Sequence, residues 1–391
     1  MNILIANFTK MVNDSGGMAK VTCNMANEFI KRGHSVSLIY SDDNVGNFYF
    51  PISAKVKCYD LRHIDGENIK FPIRLKIKRE IFRLFNKQKS RTVGIEFDEA
   101  YLAPKCKKLL EDIDPDVIVS HNPGTSAMFL CTLNTNTPVI TMSHGDPSDY
   151  FKVYPKVSVE AVGKSNVNQV LLPSYVIPIK KYFPNVKTVV IGNAIPQFNF
   201  SADLSATKDR YKIIFVGRLA KGHKRPHLLI QAFSQIASKY PNWIVELWGA
   251  SEGKAYYKEL EYLIKNAKLE NRILLKGSTN NVPEKLKDAD ILAFPSAYEG
   301  FSLALGEGMS AGLPVIGYKN CPSVNEIIIN GKTGFLVDDG VKPFAEALDK
   351  LMSDKELRIN MGKSAKEEML NYAPNNIWDK WDLLLKNTAN L

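Results

Sequence analysis

Short apolar runs with no polar alternation recur along this chain, separated by stretches of helical periodicity. Asn2–Ala6, Val36–Tyr40, Asp116–Ser120, Pro138–Met142, Gln169–Leu172 and Thr188–Ile191 form one set, and Tyr211–Val216, Trp243–Trp248, Arg272–Leu275 and Asp290–Pro295 a second. Strands without a wet face belong to parallel sheets covered by helices on both sides. Between the sets, residues 192–209 lack periodicity and read as a linker. The expectation is α/β: two consecutive Rossmann-like, doubly wound parallel-sheet domains, for which 391 residues suffice at roughly 150 per domain. The boundaries drawn are 1–194, 195–373 and a terminal helix over 374–391, where Ile377, Trp378, Trp381, Leu383 and Leu384 have helical spacing.

Open sheets of this kind take ligands at the carboxyl ends of their strands. There the first β-α-β unit places Gly16 and Gly17, opening a helix that runs to about Lys31. They serve a tight turn, a ligand, or both. No G-x-G-x-x-G follows the strand, so a nicotinamide or flavin is not expected. His121 in SHNPG and His144 in SHGDP each follow directly on a strand, which favours a ligand-facing role over a structural one, and no third ligand at metal spacing lies near. In the loop after Tyr211–Val216, GRLAKGHKR crowds Arg218, Lys221, Lys224 and Arg225 together. Such cations can neutralise a diphosphate, Arg as a fork and Lys as a point charge, although a solvated basic loop has the same composition. The P-loop pattern is absent.

Glu299 to Leu313, EGFSLALGEGMSAGL, puts two carboxylates eight positions apart around a strand-to-helix turn, with Gly312-Leu313-Pro314 ending the helix. A helix start offers free N–H groups and the positive end of a dipole, which suit a phosphate. Glu299 and Glu307 are acceptors and suit sugar hydroxyls. A solvated loop Glu and an ordinary helix Glu are the plainer reading.

Composition narrows the class. With 45% hydrophobic and 24% charged residues the chain is of ordinary soluble globular type, and no run of about 18 apolar residues could span a bilayer. MNILIANF enters a strand directly, so no signal peptide is expected. Five scattered cysteines without a C-x-x-C pair suggest neither a disulfide framework nor a zinc site, and a reducing cytoplasm is expected. Most of the net charge of +10 lies in Ile69–Arg91, where nine Lys/Arg face only Glu80, a local +8. Interleaved aliphatic and aromatic residues make this stretch amphipathic. It reads as an anionic-lipid surface, as a solvated helix over its own core, or as a nucleic-acid patch, the last without any accompanying motif.

SGGMAKVTCNMANEFIKRGHSVSLIY, VGRLAKGHKRPHLLIQAF, EGFSLALGEGMSAGLPVIG and VNEIIINGKTGFLV, in this order over most of the chain, resemble the family 4 retaining glycosyltransferases of GT-B fold. The Glu-x7-Glu segment with its GLPVI follower is the specific part. The resemblance implies two Rossmann-like domains facing a central cleft, with the terminal helix crossing back to the first. It implies that Arg218 and Lys224, beside Gly217, bind the donor diphosphate and stabilise it as it leaves. Glu299 would meet the donor sugar and Glu307 the ribose, with the backbone of Phe301, Ser302 and Leu303 at sugar and phosphate. Gly16 and Gly17 would form the acceptor-side loop near the diphosphate, and His144 would contact the donor sugar near its reacting carbon, with His121 grouped beside it.

It further implies transfer with retention, no catalytic metal and no cofactor beyond a nucleotide-sugar donor, UDP-linked rather than GDP-linked. The acceptor would be a saccharide, commonly on polyprenyl diphosphate, in capsule, O-antigen or related surface-glycan synthesis, and Ile69–Arg91 would then dock on the anionic inner face of the cell membrane. The alternatives are a UDP-sugar 2-epimerase of similar fold and a non-catalytic sugar-nucleotide-binding protein. One departure is Arg225, where many members have Gly, so a differently shaped loop is expected there.

Overall fold

In the computed structural model, which describes residues 1–390, the apolar runs form two separate sheets, parallel throughout. The first holds β1 (Asn2–Asn7), β2 (Ser35–Tyr40), β3 (Lys57–Asp60), β4 (Val117–Ser120), β5 (Val139–Met142), β6 (Val167–Val170) and β7 (Thr188–Val190). Their order is β3-β2-β1-β4-β5-β6-β7. The second holds β8 (Tyr211–Val216), β9 (Trp243–Trp248), β10 (Ile273–Gly277), β11 (Ile291–Phe294), β12 (Val315–Tyr318) and β13 (Gly334–Val337), in the order β10-β9-β8-β11-β12-β13. In both, the chain order reverses beside the first strand, between β1 and β4 and between β8 and β11. These are the switch points at which such sheets open a crevice for ligands.

The core follows from the runs. Ile3, Leu4 and Ile5 in β1, and Ile213, Ile214 and Phe215 in β8, are buried on both faces. Each such side chain contributes about 1.5–3 kcal/mol by leaving water. Register is in step from Asn2 opposite Ser35 to Asn7 opposite Tyr40, and from Tyr211 opposite Trp243 to Val216 opposite Trp248.

The chain divides into two compact units, residues 193–377 and residues 1–192 joined by the segment from Trp378 onward. The split thus falls inside the last helix, Pro374–Ala389, a few residues from the boundary drawn at 374. Trp378 and Trp381 meet Phe29 edge-on, with ring centroids 6.0 and 6.3 Å away, and Arg32 Nη1 donates to Asp379 at 2.8 Å and Asp382 at 2.7 Å. Phe29 and Arg32 lie at the end of α1 (Gly17–Lys31) and just beyond it, so aromatic packing and a charged clamp fix one seam of the first unit. The basic segment forms α2 (Ile73–Phe85) and α3 (Lys87–Phe97), paired as a hairpin and held by Lys78 to Glu96 at 2.7 Å and by Ser90 Oγ donating to the Arg79 carbonyl at 3.1 Å.

Candidate active site

The second unit gathers its candidate residues after β8 and β11. Gly217 follows β8 and donates its N–H to the Trp248 carbonyl at 3.0 Å, tying the loop to the end of β9. Of the four cations expected to act together, the structure separates two. Lys221 Nζ pairs with Glu259 at 2.8 Å on an exposed surface, and Arg225 Nη1 pairs with Asp339 at 2.9 and 3.0 Å. That leaves Arg218, exposed and without an ion pair among the described residues, and Lys224. The sequence could not sort these four, because their partners lie far along the chain.

Arg225 has φ 48° and ψ 45°, the left-handed conformation that glycine adopts freely. Its guanidinium donates to the Pro295 carbonyl at 3.1 Å and lies over the Tyr318 ring at 4.7 Å, in addition to the Asp339 pair. The loop therefore holds the backbone shape a glycine would give it, fixed by side-chain contacts in place of conformational freedom. Beside it, the Ala297 N–H donates to the His223 carbonyl at 2.7 Å, which anchors the loop to the chain leaving β11.

That chain carries Glu299, whose Oε1 accepts from Lys224 Nζ at 2.6 Å; the ammonium also lies over the Phe294 ring at 5.3 Å. Phe301 is buried against Tyr372. Ser302 caps the Leu303–Ser310 helix by accepting the Leu305 N–H at 3.4 Å, so the N–H groups of Leu303 and Ala304 form its open start. Glu307, one turn in, is buried. It sits between two glycines whose positions admit no side chain. A Cβ on Gly306 would stand 2.6 Å from Ile195 Cδ1, and one on Gly308 2.4 Å from Leu292 Cδ2. The GEG spelling is thus a packing requirement that presses the helix onto the sheet and the preceding linker.

In the first unit, Gly16 caps α1 and donates its N–H to Asp14 at 3.0 Å, and a Cβ on Gly17 would meet nothing within 4 Å, which leaves that helix start open. Asp42, after β2, accepts the N–H groups of Met11 and Val12 at 2.8 Å each and holds the preceding loop. Burial opposes its ionisation, but these bonds and the one from Asn44 keep its carboxyl below the usual range.

His121 and His144 follow β4 and β5 and stack with centroids 5.1 Å apart. His144 Nε2 is 3.1 Å and Thr22 Oγ1 3.2 Å from His121 Nδ1. Thr22 Oγ1 gives its own proton to the Met18 carbonyl at 2.9 Å and accepts from Asn7 Nδ2 at 3.0 Å, so it acts as an acceptor toward His121. This assigns the proton of His121 to Nδ1 and that of His144 to Nδ1, turning the His144 N–H away from its partner. Burial pushes His144 down to about 4, and burial with the neighbouring imidazole takes His121 well below the ordinary value. Both rings are neutral at pH 7. Thr22 and Asn7, which fix the tautomer, were not singled out in the sequence; the only signal was a polar residue on the buried face of α1.

Residues 15–174 match the model of Glycosyltransferase Family 4, and residues 196–368 that of Glycosyl transferases group 1. A Haemophilus influenzae glycosyltransferase is 22% identical over 388 residues, 97% of this chain and 98% of that protein. The Campylobacter jejuni N-acetylgalactosamine-N,N'-diacetylbacillosaminyl-diphospho-undecaprenol 4-alpha-N-acetylgalactosaminyltransferase is 27% identical over 288 residues, 68% of this chain and 75% of that protein. Anabaena HepE, solved in complex with UDP, superposes with a TM-score of 0.72 at 17% identity, over 99% of this chain and 100% of that one, and so shares the fold. With both Rossmann-like sheets of the GT-B architecture present and a family match over each, this chain is a member of the family 4 glycosyltransferases.

Proposed function

We propose that this glycosyltransferase moves a sugar, with retention of anomeric configuration, from a UDP-sugar to a saccharide carried on polyprenyl diphosphate, in the synthesis of a bacterial surface glycan. The observation that carries the reading is the Lys224–Glu299 pair at 2.6 Å beside the open start of the Leu303–Ser310 helix. Cation, sugar-hydroxyl acceptor and anion-binding N–H groups occur together there, as a nucleotide-sugar requires. The relatives support the acceptor: the Campylobacter protein is named for a diphospho-undecaprenol substrate. UDP as donor is supported by the nucleotide bound in HepE.

In this mechanism the bond between the anomeric carbon and the diphosphate oxygen breaks with its electron pair on the oxygen. The acceptor hydroxyl forms its bond to the same face, and its proton passes to the departing diphosphate. Charge builds on the leaving group, so Arg218, Lys224 and the helix start stabilise the transition state more than the ground state without a catalytic metal. Glu299 holds the hydroxyls of the sugar that moves and Glu307 those of the ribose. His144, neutral, offers its Nδ1–H as a donor to the sugar without adding positive charge. Incubation with UDP-sugars and a polyprenyl-diphosphate-linked saccharide, followed by proton NMR of the new linkage, tests this. An inverted linkage overturns retention, and a 2-epimer formed from UDP-GlcNAc alone identifies an epimerase.

We also assign α2 to an anionic membrane surface. No helix among the described residues is long and apolar enough to cross a membrane. Yet α2 turns an apolar stripe outward: Ile73, Ile77, Ile81 and Leu84 recur at one-turn spacing with Phe85 beside them, and Ile73, Leu84 and Phe85 are 72%, 81% and 83% exposed. Arg74, Lys76 and Arg83 flank that stripe, the pattern of a helix lying in a lipid interface. Vesicles containing phosphatidylglycerol should sediment with the protein and lose it on Ile77→Glu with Leu84→Glu. Unchanged sedimentation removes the assignment, and a dimer that dissociates in the same variant transfers the stripe to a second copy.

A further inference from the structure

A cavity of about 510 Å³ lies in the first unit where Phe8, Asp43 and Arg62 leave the carboxyl ends of β1, β2 and β3, and the inner side of α2 forms part of its wall. This is the ligand edge of an open α/β sheet. Arg62, Lys70, Lys76 and Arg79 line it, opposed by Asp43 and Asp98. Arg62 is engaged within the protein. It forms an ion pair with Asp43, its Nε donates to Ser41 Oγ at 2.9 Å, and its guanidinium lies 4.7 Å from the Phe97 ring centroid. Lys70 and Lys76 have no ion pair among the described residues, and Arg79 has only the 3.5 Å approach of the exposed Glu80. Burial pushes the Asp98 carboxyl up to about 7 although Arg62 draws it back. A good part of it is therefore protonated at neutral pH and able to donate a hydrogen bond. The cavity thus has three available cations and little opposing charge, the complement of a phosphoryl group rather than of a neutral sugar.

Its position on α2 narrows the ligand further. Lys76 adjoins Ile77 of the outward stripe, so the same helix sets a cationic wall beside a face suited to lipid. Inside, Phe71 and Phe97 pack with centroids 4.7 Å apart, and Arg79 lies over Phe71 at 4.9 Å, giving an apolar floor under the cations. A group that is anionic, sits at the membrane boundary and continues into hydrocarbon satisfies all three conditions.

We infer that this cavity binds the phosphate or diphosphate that joins a lipid-anchored acceptor to its hydrocarbon chain, with Arg79, Lys76 and Lys70 as its ligands. The inference rests on the reading above that the acceptor is lipid-linked. It makes the loop and helix of 68–79 the element that distinguishes lipid-linked from free acceptors.

Geranyl diphosphate is a soluble probe carrying both a diphosphate and a short isoprenoid chain. With UDP in excess to occupy the donor site, it should raise the melting temperature of the full-length protein further, whereas geraniol should not. Lys76→Gln with Arg79→Gln should weaken geranyl diphosphate at least tenfold in calorimetric titration and leave the UDP-induced thermal shift unchanged, which shows that the variant is folded. Equal binding by wild type and double variant overturns the site. Inorganic diphosphate acting as strongly as geranyl diphosphate assigns the cavity to a soluble anion and overturns the lipid assignment. If wild type transfers sugar but the double variant does so equally well to a polyprenyl-diphosphate-linked acceptor, the cavity inference falls while the transferase reading stands. If wild type transfers to no acceptor but binds geranyl diphosphate through these residues, the transferase reading falls alone.

Discussion

Lys224 Nζ lies 2.6 Å from Glu299 Oε1, joining the cation proposed for the donor diphosphate to the carboxylate proposed for the donor sugar. Glu299 is buried, with its side chain only 9% exposed, so the ammonium offsets a charge that would be costly alone. An ammonium has three protons, so Lys224 can keep this bond while turning another toward a phosphate oxygen. The pair holds both groups in place before the donor arrives, which reduces the ordering required on binding.

Removing the cation should therefore have two separable effects. Lys224→Ala removes the ammonium from a buried carboxylate and should lower stability by about 1–3 kcal/mol. It also removes charge stabilisation of the leaving group, which should lower kcat by about a hundredfold or more. Urea unfolding measures the first and single-turnover kinetics the second. A variant with full turnover would remove Lys224 from the proposed role whatever its stability.

The two carboxylates should part company on substitution. Glu307→Gln should weaken UDP itself about tenfold, the scale of one charged hydrogen bond, because the ribose hydroxyls lose their acceptor. Glu299→Gln should leave UDP unchanged and weaken only UDP-sugar. Titration calorimetry with both ligands on both variants reads the pattern, and a Glu299→Gln defect toward UDP of the same size as that toward UDP-sugar contradicts the division.

How much of this was legible in the sequence depended on how local its cause was. Tyr211–Val216 and Trp243–Trp248 match their observed strands end to end, because strands covered on both faces read as near-continuous apolar runs, here interrupted only by Lys212 and Glu246. The run expected at Gln169–Leu172 is instead Val167–Val170, since Asn168 and Gln169 lie inside the sheet with their amides donating to the carbonyls of Val162 and Ile191. A polar strand satisfied by distant carbonyls has no pattern to find. The edge strand Lys57–Asp60 was missed for a related reason, having no apolar run at all. At the site, the pair of glutamates was visible as spacing, but the separation of Lys224 from Lys221 and Arg225 was not. Glu259 and Asp339, which take the latter two, are 38 and 114 positions away. For Ile69–Arg91 the sequence left three readings, and only the outward turn of Ile73, Ile77 and Leu84 favoured one of them.

Arg225 supplies a test of backbone cost against side-chain contact. Its left-handed conformation costs a non-glycine residue about 1–2 kcal/mol, and the Asp339 pair, the Pro295 carbonyl and the Tyr318 ring offset this. Arg225→Ala loses the contacts and keeps the strain, whereas Arg225→Gly loses the contacts and the strain together. Arg225→Gly should therefore be the more stable of the two by about 1 kcal/mol, with near wild-type KM for the donor because the loop retains its shape. Equal melting temperatures for the two variants would show that the loop relaxes out of the left-handed region.

The histidine pair should make stability depend on pH in a defined window. His144 is held down to about 4 in the folded protein, below the ordinary value of 6.5, by burial. Between these values the unfolded chain binds the proton that the folded one refuses, so folding stability rises with pH across the window and is lost as pH falls through it. Above pH 6.5 both states are neutral at this site and the dependence ends. His121, also held down by burial and by the neighbouring imidazole, adds its own loss in the same direction. Each unit of difference corresponds to about 1.4 kcal/mol, so the fall in stability from pH 7 to pH 5 should be steeper in wild type than in His144→Gln by an amount of that order. Urea unfolding of both proteins at the two pH values measures it. Equal slopes would mean that His144 takes up its proton without disturbing the stack with His121, and the neutral pair would no longer describe the site at acid pH.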